Sequence, residues 1–277
     1  MSKFLSADVR PLVITKSTLT ICDTHRKMHH SFIWREGGNT VTMHVAIDDT
    51  YGPITATPSK YVTGARRTYV AVEFPDHAVA GIRANIVNCL AEMPSLLGIS
   101  PTEFHFVDIY NRNKEWRNAP GELNLKIFEF FAKIYRMHRW PVQVQTVDDR
   151  TLADHAIRFD LSVDGIDLRE RDGQALFFLL TKVKHRMPGP PEPLTLRIDA
   201  GRAKPGKPIA NTLFREWGDL YDGQYAESHL EPLIQIADFL AFSINRVTHL
   251  GLKAQRTEID IWFLQLIASM DIRGGPH

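Results

Sequence analysis

The chain has 277 residues, of which 44% are hydrophobic and 23% charged, the balance of an ordinary globular protein long enough for one large domain with a sizeable core. Its formal net charge is +1, so no global field draws it to nucleic acid or membrane, and any basic binding surface is local. Two cysteines, Cys22 and Cys89, stand in no CxxC pair, which excludes thiolate zinc sites and a disulfide framework and fits a reducing compartment.

Residues 1–38 read as an N-terminal extension, with a basic, His-rich patch in "HRKMHH" and a turn at "REGGNT". His25 and His29 have helical i, i+4 spacing, but with only Asp23 nearby a basic surface arm is the better reading than a metal site. From residue 39 to 277 the pattern is that of a single α/β domain. "VTMHVAID" alternates, with Val41, Met43, Val45 and Ile47 facing one way, and so predicts a strand that ends in Asp48 and Asp49. "RTYVAVEF" (67–74) predicts a second strand, and "PDHAVAGIRANIVNCLAEM" a helix on Val79, Ile82, Ile86 and Leu90. "TEFHFVDIY" (102–110) alternates again and predicts a short strand.

A strong helix follows in "GELNLKIFEFFAKIYRMHRW", then a strand in "PVQVQTV" and a helix in "GQALFFLLTKVKHRM", whose basic C-terminus suits the helix dipole. "PLTLRID" (193–199) predicts a strand ending in an acid, and "ANTLFREWGDLY" a short helix. "PLIQIADFLAFSIN" (232–245) and "EIDIWFLQLIASM" predict a C-terminal helical hairpin. The tryptophans Trp116, Trp140, Trp217 and Trp262 border apolar helical runs and are expected in the core or at its rim. No run of about 18 apolar residues occurs, so no membrane partner is expected. The N-terminus has no continuous apolar core, and a cytoplasmic location is expected.

Four acids stand out by their apolar context: Asp48 in "VAIDD", Glu103 in "PTEFHF", Asp199 in "LRIDAG" and Asp238 in "IQIADFL". Acids that flank core-facing runs point into a shared cleft more readily than acids on a charged helix face. Brought together they repel and raise each other's pKa unless a divalent cation neutralises them. Carboxylates without cysteine favour a hard ion, Mg2+ or Mn2+. Two such ions about 3.5–4 Å apart can hold the attacking and leaving oxygens of an in-line phosphoryl displacement. Gln235 lies three residues before Asp238, on the same helix face, as a group that orients the ligand. His105 follows Glu103 by two and is a candidate proton-transfer group or a structural histidine.

These stretches resemble the domain-of-unknown-function family 3800, whose fold is ribonuclease H-like. The resemblance rests on "IDDTYG" (47–52), "EFHF" (103–106), "RIDAG" (197–201) and "ESHLEPLIQIADFLAF" (227–242), and covers roughly residues 41 to 250. The last motif is the most specific, with Ser228, Gln235 and Asp238 all in place. The first departs: Asp49, Thr50 and Tyr51 stand where the family has Glu, Ser and Gly. The resemblance implies a mixed sheet flanked by helices and a two-Mg2+ site held by Asp48, Glu103, Asp199 and Asp238. Asp49, His105, Ser228 and Gln235 are the supporting residues.

"GRAKPGKP" (201–208) matches G-x-x-x-x-G-K, but Pro208 stands where a P-loop needs Ser or Thr. Arg202, Lys204 and Lys207 in a flexible loop beside Asp199 are instead candidates to hold a phosphate backbone, against the alternative of a solvated surface loop. The functional expectation is a Mg2+-dependent nuclease or related phosphoryl-transfer hydrolase. The alternative is a non-catalytic nucleic-acid or protein-binding module on the same fold.

Overall fold

The computed structural model describes residues 42–52, 66–148, 159–187, 191–201 and 203–272. The expected N-terminal extension, with its histidines, and Arg202 lie outside them. The elements run β1 (Met43–Tyr51), β2 (Arg67–Pro75), α1 (Asp76–Leu97), α2 (Phe106–Asn111), α3 (Leu123–His138), β3 (Val142–Val147), β4 (Ser162–Val163), β5 (Ile166–Asp167), α4 (Arg171–His185), β6 (Leu194–Asp199), β7 (Tyr221–Ala226), α5 (Pro232–Leu252) and α6 (Glu258–Ala268). Among the described residues, 3-10 turns cover Lys114–Asn118 and Arg215–Leu220.

Five strands form one mixed sheet in the order β3-β2-β1-β6-β7. β1, β2 and β3 pair antiparallel, while β6 runs parallel to β1 and β7 parallel to β6. An open five-stranded sheet of this order, covered by helices, is consistent with a ribonuclease H-like α/β fold. β1 is its central strand, so Asp48 lies where that fold class predicts.

The alternation of β1 and β2 sorts the core into two layers. Ala46, Val70, Val72 and Phe74 face a cluster built with α1, α3 and α5. Val45, Ile47, Tyr69 and Ala71 face a second cluster built on Leu176, Leu179, Leu180 and Val183 of α4. Both faces of β1 and β2 are covered, which is why Val45–Ile47 and Tyr69–Val72 run apolar without alternation. The first half of α5 is buried all round, at the centre of the first cluster. Glu231 starts α5 by accepting the Leu233 N–H (3.2 Å), with Pro232 as its first residue. Thr257 and Asp260 form a capping box that starts α6 and completes the expected helical hairpin. Trp116, Trp140 and Trp217 are buried, and Trp262 packs partly buried against the first cluster.

Two local expectations are overturned, and the segment after Asp199 takes a definite place. β1 does not stop at its acids: it pairs with β2 through Tyr51↔Arg67, so Asp48 and Asp49 are strand residues with side chains on opposite faces. Residues 102–110 are not a strand. Phe104 and Phe106 are fully buried in the aromatic cluster of the first layer, and the chain turns into α2 at Phe106. The basic segment after Asp199 is hydrogen-bonded to β7 over residues 206–209. Gly206 N–H donates to Tyr225 O (2.7 Å), Tyr225 N–H to Lys207 O (3.1 Å) and Ile209 N–H to Gly223 O (3.1 Å), so the segment straps the outer edge of β7. The short helix expected in "ANTLFREWGDLY" is the 3-10 turn Arg215–Leu220, which does not begin directly after the loop as a P-loop helix would.

Candidate active site

The parallel register of β1 and β6 builds the first half of the site. Ile47 is opposite Ile198, so Asp48 and Asp199 come one step later, side by side at the carboxyl ends of neighbouring parallel strands. Ligand sites of open α/β sheets form at such strand ends. α5 packs across β1 and β2 on the face of Asp48 and brings Asp238 to the same rim. Asp48 and Asp238 are each only 9% exposed.

The second half is a clamp. Residues 103–106 lead from a bend through an extended His105 into α2, and their backbone N–H groups find no strand partner. Gln235 Oε1 accepts from Phe104 N–H (3.0 Å) and Asp238 Oδ2 from Phe106 N–H (2.9 Å). Side chains three apart on one helix face thus satisfy N–H groups two apart on this segment. Gln235 Nε2 also donates to Ser228 O (2.9 Å), and Ser228 Oγ donates to Glu103. Phe106 locks the segment from within, 4.8 Å from Phe131 and 5.0 Å from Phe239 between ring centroids. Gln235 therefore positions Glu103 and its segment, not Asp238 directly. Replacing it by leucine leaves the buried Phe104 N–H unpaired and is expected to cost about 2 kcal/mol. A thermal melt checks this; an unchanged midpoint would show the clamp to be dispensable.

The four acids feel one another. Burial, then the charges of Asp238, Asp199 and Asp49, push the Asp48 carboxyl well above its ordinary value. Burial also raises Asp199, against the Gly201 N–H, with Glu103 and Asp49 adding to the rise. Burial pushes Asp238 up to about 7, against the pull of His105 and the Phe106 N–H, with Asp199 and Glu103 raising it further. His105 is held on Asp108, its Nδ1 2.8 Å from Oδ2, and Lys114 Nζ approaches the same oxygen (2.7 Å). Burial works against the charged imidazole, but Asp238, Asp108 and Glu103 outweigh it and raise the pKa. The histidine so joins the site from a half-exposed position at the start of α2, not along a strand.

Asp49 links to Asp48 through its backbone, donating its N–H to Oδ1 (2.7 Å). Its carboxylate turns to the α4 face, where Arg67 holds it (2.8 Å) and reaches Asp172 as well (3.0 Å). Arg67 and Asp172 were not legible as site residues, because the register that sets them beside Asp49 is a tertiary fact. Lys204 and Lys207 are exposed on the strap near Asp199.

Oxygen-only carboxylates are the donor chemistry of a hard divalent ion, and a cation would relieve the repulsion that raises three of these carboxyls. The residues fit such an ion in kind. They do not form a closed shell: among the described residues no group of three or more His, Cys, Asp or Glu side chains stands in ligating geometry. One oxygen each of Asp238 and Asp199 accepts a backbone N–H, the latter from Gly201 (3.1 Å), and Glu103 accepts from Ser228. Among the described residues no helix is long and apolar enough to cross a membrane. Compared with protein-family models and with curated proteins, the chain matches none.

Proposed function

We propose that the protein is a Mg2+- or Mn2+-dependent phosphodiester hydrolase of the nuclease type, acting in the cytoplasm and related to the domain-of-unknown-function family 3800. The observation that carries the proposal is the meeting of Asp48 and Asp199, abreast on parallel strands, with Asp238 and Glu103 at one rim, where burial and mutual charge raise three of the four carboxyls. Asp48, Asp199, Asp238 and Glu103 would hold one or two ions. Such ions, when bound, supply charge neutralisation at the phosphate and a water of lowered pKa. The chain's own residues do the rest. Gln235 and Ser228 fix Glu103, Phe106 N–H fixes one oxygen of Asp238, and the Asp108–His105 pair holds an imidazole where it can pass a proton to or from the reacting oxygens.

The test is calorimetric titration of the full chain with Mg2+ and Mn2+, together with a cleavage panel of single- and double-stranded DNA and RNA. Saturable ion binding that Asp48→Asn abolishes, with ion-dependent cleavage, is the expected result. No ion binding and no cleavage would leave the alternative, a nucleic-acid or protein-binding module.

The nucleic-acid partner makes a separate demand on the strap. If Lys204 and Lys207 grip phosphates, their replacement by alanine weakens binding to any sequence by a similar factor. It also lowers the slope of log affinity against log salt by roughly 0.9 per lost duplex contact. Ion binding stays unchanged, since lysines are not ligands. An unaltered affinity and slope would reduce the strap to an edge cover.

A further inference from the structure

A second feature opens at the same rim, on the opposite face of the sheet. It is a cavity of about 270 Å3 on the α4 side, bordered by Asp48, Asp49 and Asp199. Ligand pockets run to about 300–1,000 Å3 for drug-sized molecules, so this one suits a single ring system. Apolar side chains of Leu176 and Ile198 line it, and Tyr69 and Tyr225 stand at its walls. A flat group with a partly apolar face fits such a lining.

The Tyr225 hydroxyl and the exposed Glu170 carboxylate make no hydrogen bond among the described residues, although both residues line the space and Glu170 acts on Arg169 through its charge. The other carboxylates are engaged: Asp49 and Asp172 by Arg67, and Asp167 by Arg169. Glu170 thus offers two acceptor oxygens, side by side, at the border of an aromatic-walled slot. Lys207, whose ammonium lies against Gly165, adds one positive charge to the lining. Among the four common bases only guanine presents a ring N–H and an exocyclic amino group adjacent on one edge, the donor pair that a single carboxylate accepts.

We propose that this cavity takes the base of a guanine nucleotide whose phosphate reaches the Asp48–Asp199 rim, a placement of the phosphate that rests on the hydrolase reading above. Base recognition then comes from Glu170 and the two tyrosines, while the acids on the far face act on the phosphate. The protein would cut beside guanine rather than at any base.

The experiment separates the two ideas. Guanosine, inosine and uridine, which carry no phosphate, are titrated against the full chain in chelator without divalent ions, followed by saturation-transfer NMR. Guanosine is expected to bind roughly tenfold more tightly than inosine, which lacks the amino group, and than uridine. Glu170→Gln, at an exposed position, should bring guanosine down to the inosine level with the melting temperature unchanged. In parallel, Mg2+-dependent cleavage is measured on an oligonucleotide with one guanine and on its inosine counterpart. Equal or absent binding of all three nucleosides overturns the cavity inference, and cleavage that persists in that case leaves the hydrolase standing. Selectivity that survives Glu170→Gln also overturns it. Guanosine-selective binding with no ion-dependent cleavage sustains the cavity inference and sinks the hydrolase.

Discussion

Asp238→Asn is expected to remove activity and, without divalent ions, to raise the melting temperature at neutral pH. Asparagine keeps an oxygen for the Phe106 N–H, so the clamp on residues 103–106 survives. What it loses is the charge. On the hydrolase reading Asp238 is a metal ligand; outer-sphere changes at metal sites already cost about 10–100-fold, so its loss should lower cleavage by at least about 100-fold. The stability effect follows from the raised carboxyl, which in the fold titrates at about 7. An unfolded aspartic acid titrates near 4, so between roughly pH 4 and 7 the folded chain holds a proton that the unfolded chain has lost. Stability therefore falls as pH rises through that window, and the penalty is complete above it. The variant escapes the penalty. At pH 8 its gain should be at most about 4 kcal/mol, or roughly 8–16 °C; at pH 4 it should be near zero. Mg2+ should stabilise the wild type and close the gap. A variant that melts below the wild type at pH 8 without ions would show that the clustered charge is not what burdens the fold.

Gly173→Ala tests the α4 face. Gly173 lies in the first turn of α4, against the β4–β5 hairpin. A Cβ there would stand 2.0 Å from Asp167 O and 2.7 Å from Asp167 C. Those are backbone atoms, so no side-chain rotation relieves the overlap. Helix propensity alone favours alanine over glycine by about 1 kcal/mol, so the sign of the change reports which effect governs. Overpacking of this kind costs typically about 1–3 kcal/mol and sometimes more. A net loss of about 2 kcal/mol or greater, seen as a melting temperature several degrees lower, is expected. A more stable alanine variant would mean that the hairpin does not close on α4 as described.

Much of the fold was legible because it obeys local periods. β1, β2, β3 and β6 alternate or run apolar, and α1, α3, α4, α5 and α6 show helical stripes. β7 did not show itself: "YDGQYA" is polar and carries Gly223, and it is a strand only because β6 offers a parallel partner and the 206–209 strap closes its other edge. The β4–β5 hairpin was missed although Asp164-Gly165 is a recognised turn pair, because two-residue strands have no period to detect. Residues 102–110 misled in the opposite way. Phe104 and Phe106 alternate as in a strand, but the backbone partners are the side chains of Gln235 and Asp238, over 130 residues later. The four acids were legible by their apolar flanks. The Arg67 bridge, the strap and the cavity were not, since each depends on register between distant segments.

On the hydrolase reading Asp238 has two jobs, and they differ in what they demand. Chemistry at the rim needs the negative charge. The hold on Phe106 needs only an acceptor oxygen of the right reach. Among descendants of such a chain, one freed from any duty to cut phosphodiesters would not be free to change this position at will. It would drift toward asparagine and stop there, while alanine would be purged for unsettling the 103–106 segment. The same logic puts Asp199 under weaker restraint, because its bond to Gly201 is exposed to water that can replace it. An asparagine at the α5 position would thus record the loss of catalysis, and Asp199 is where such a loss would first be written.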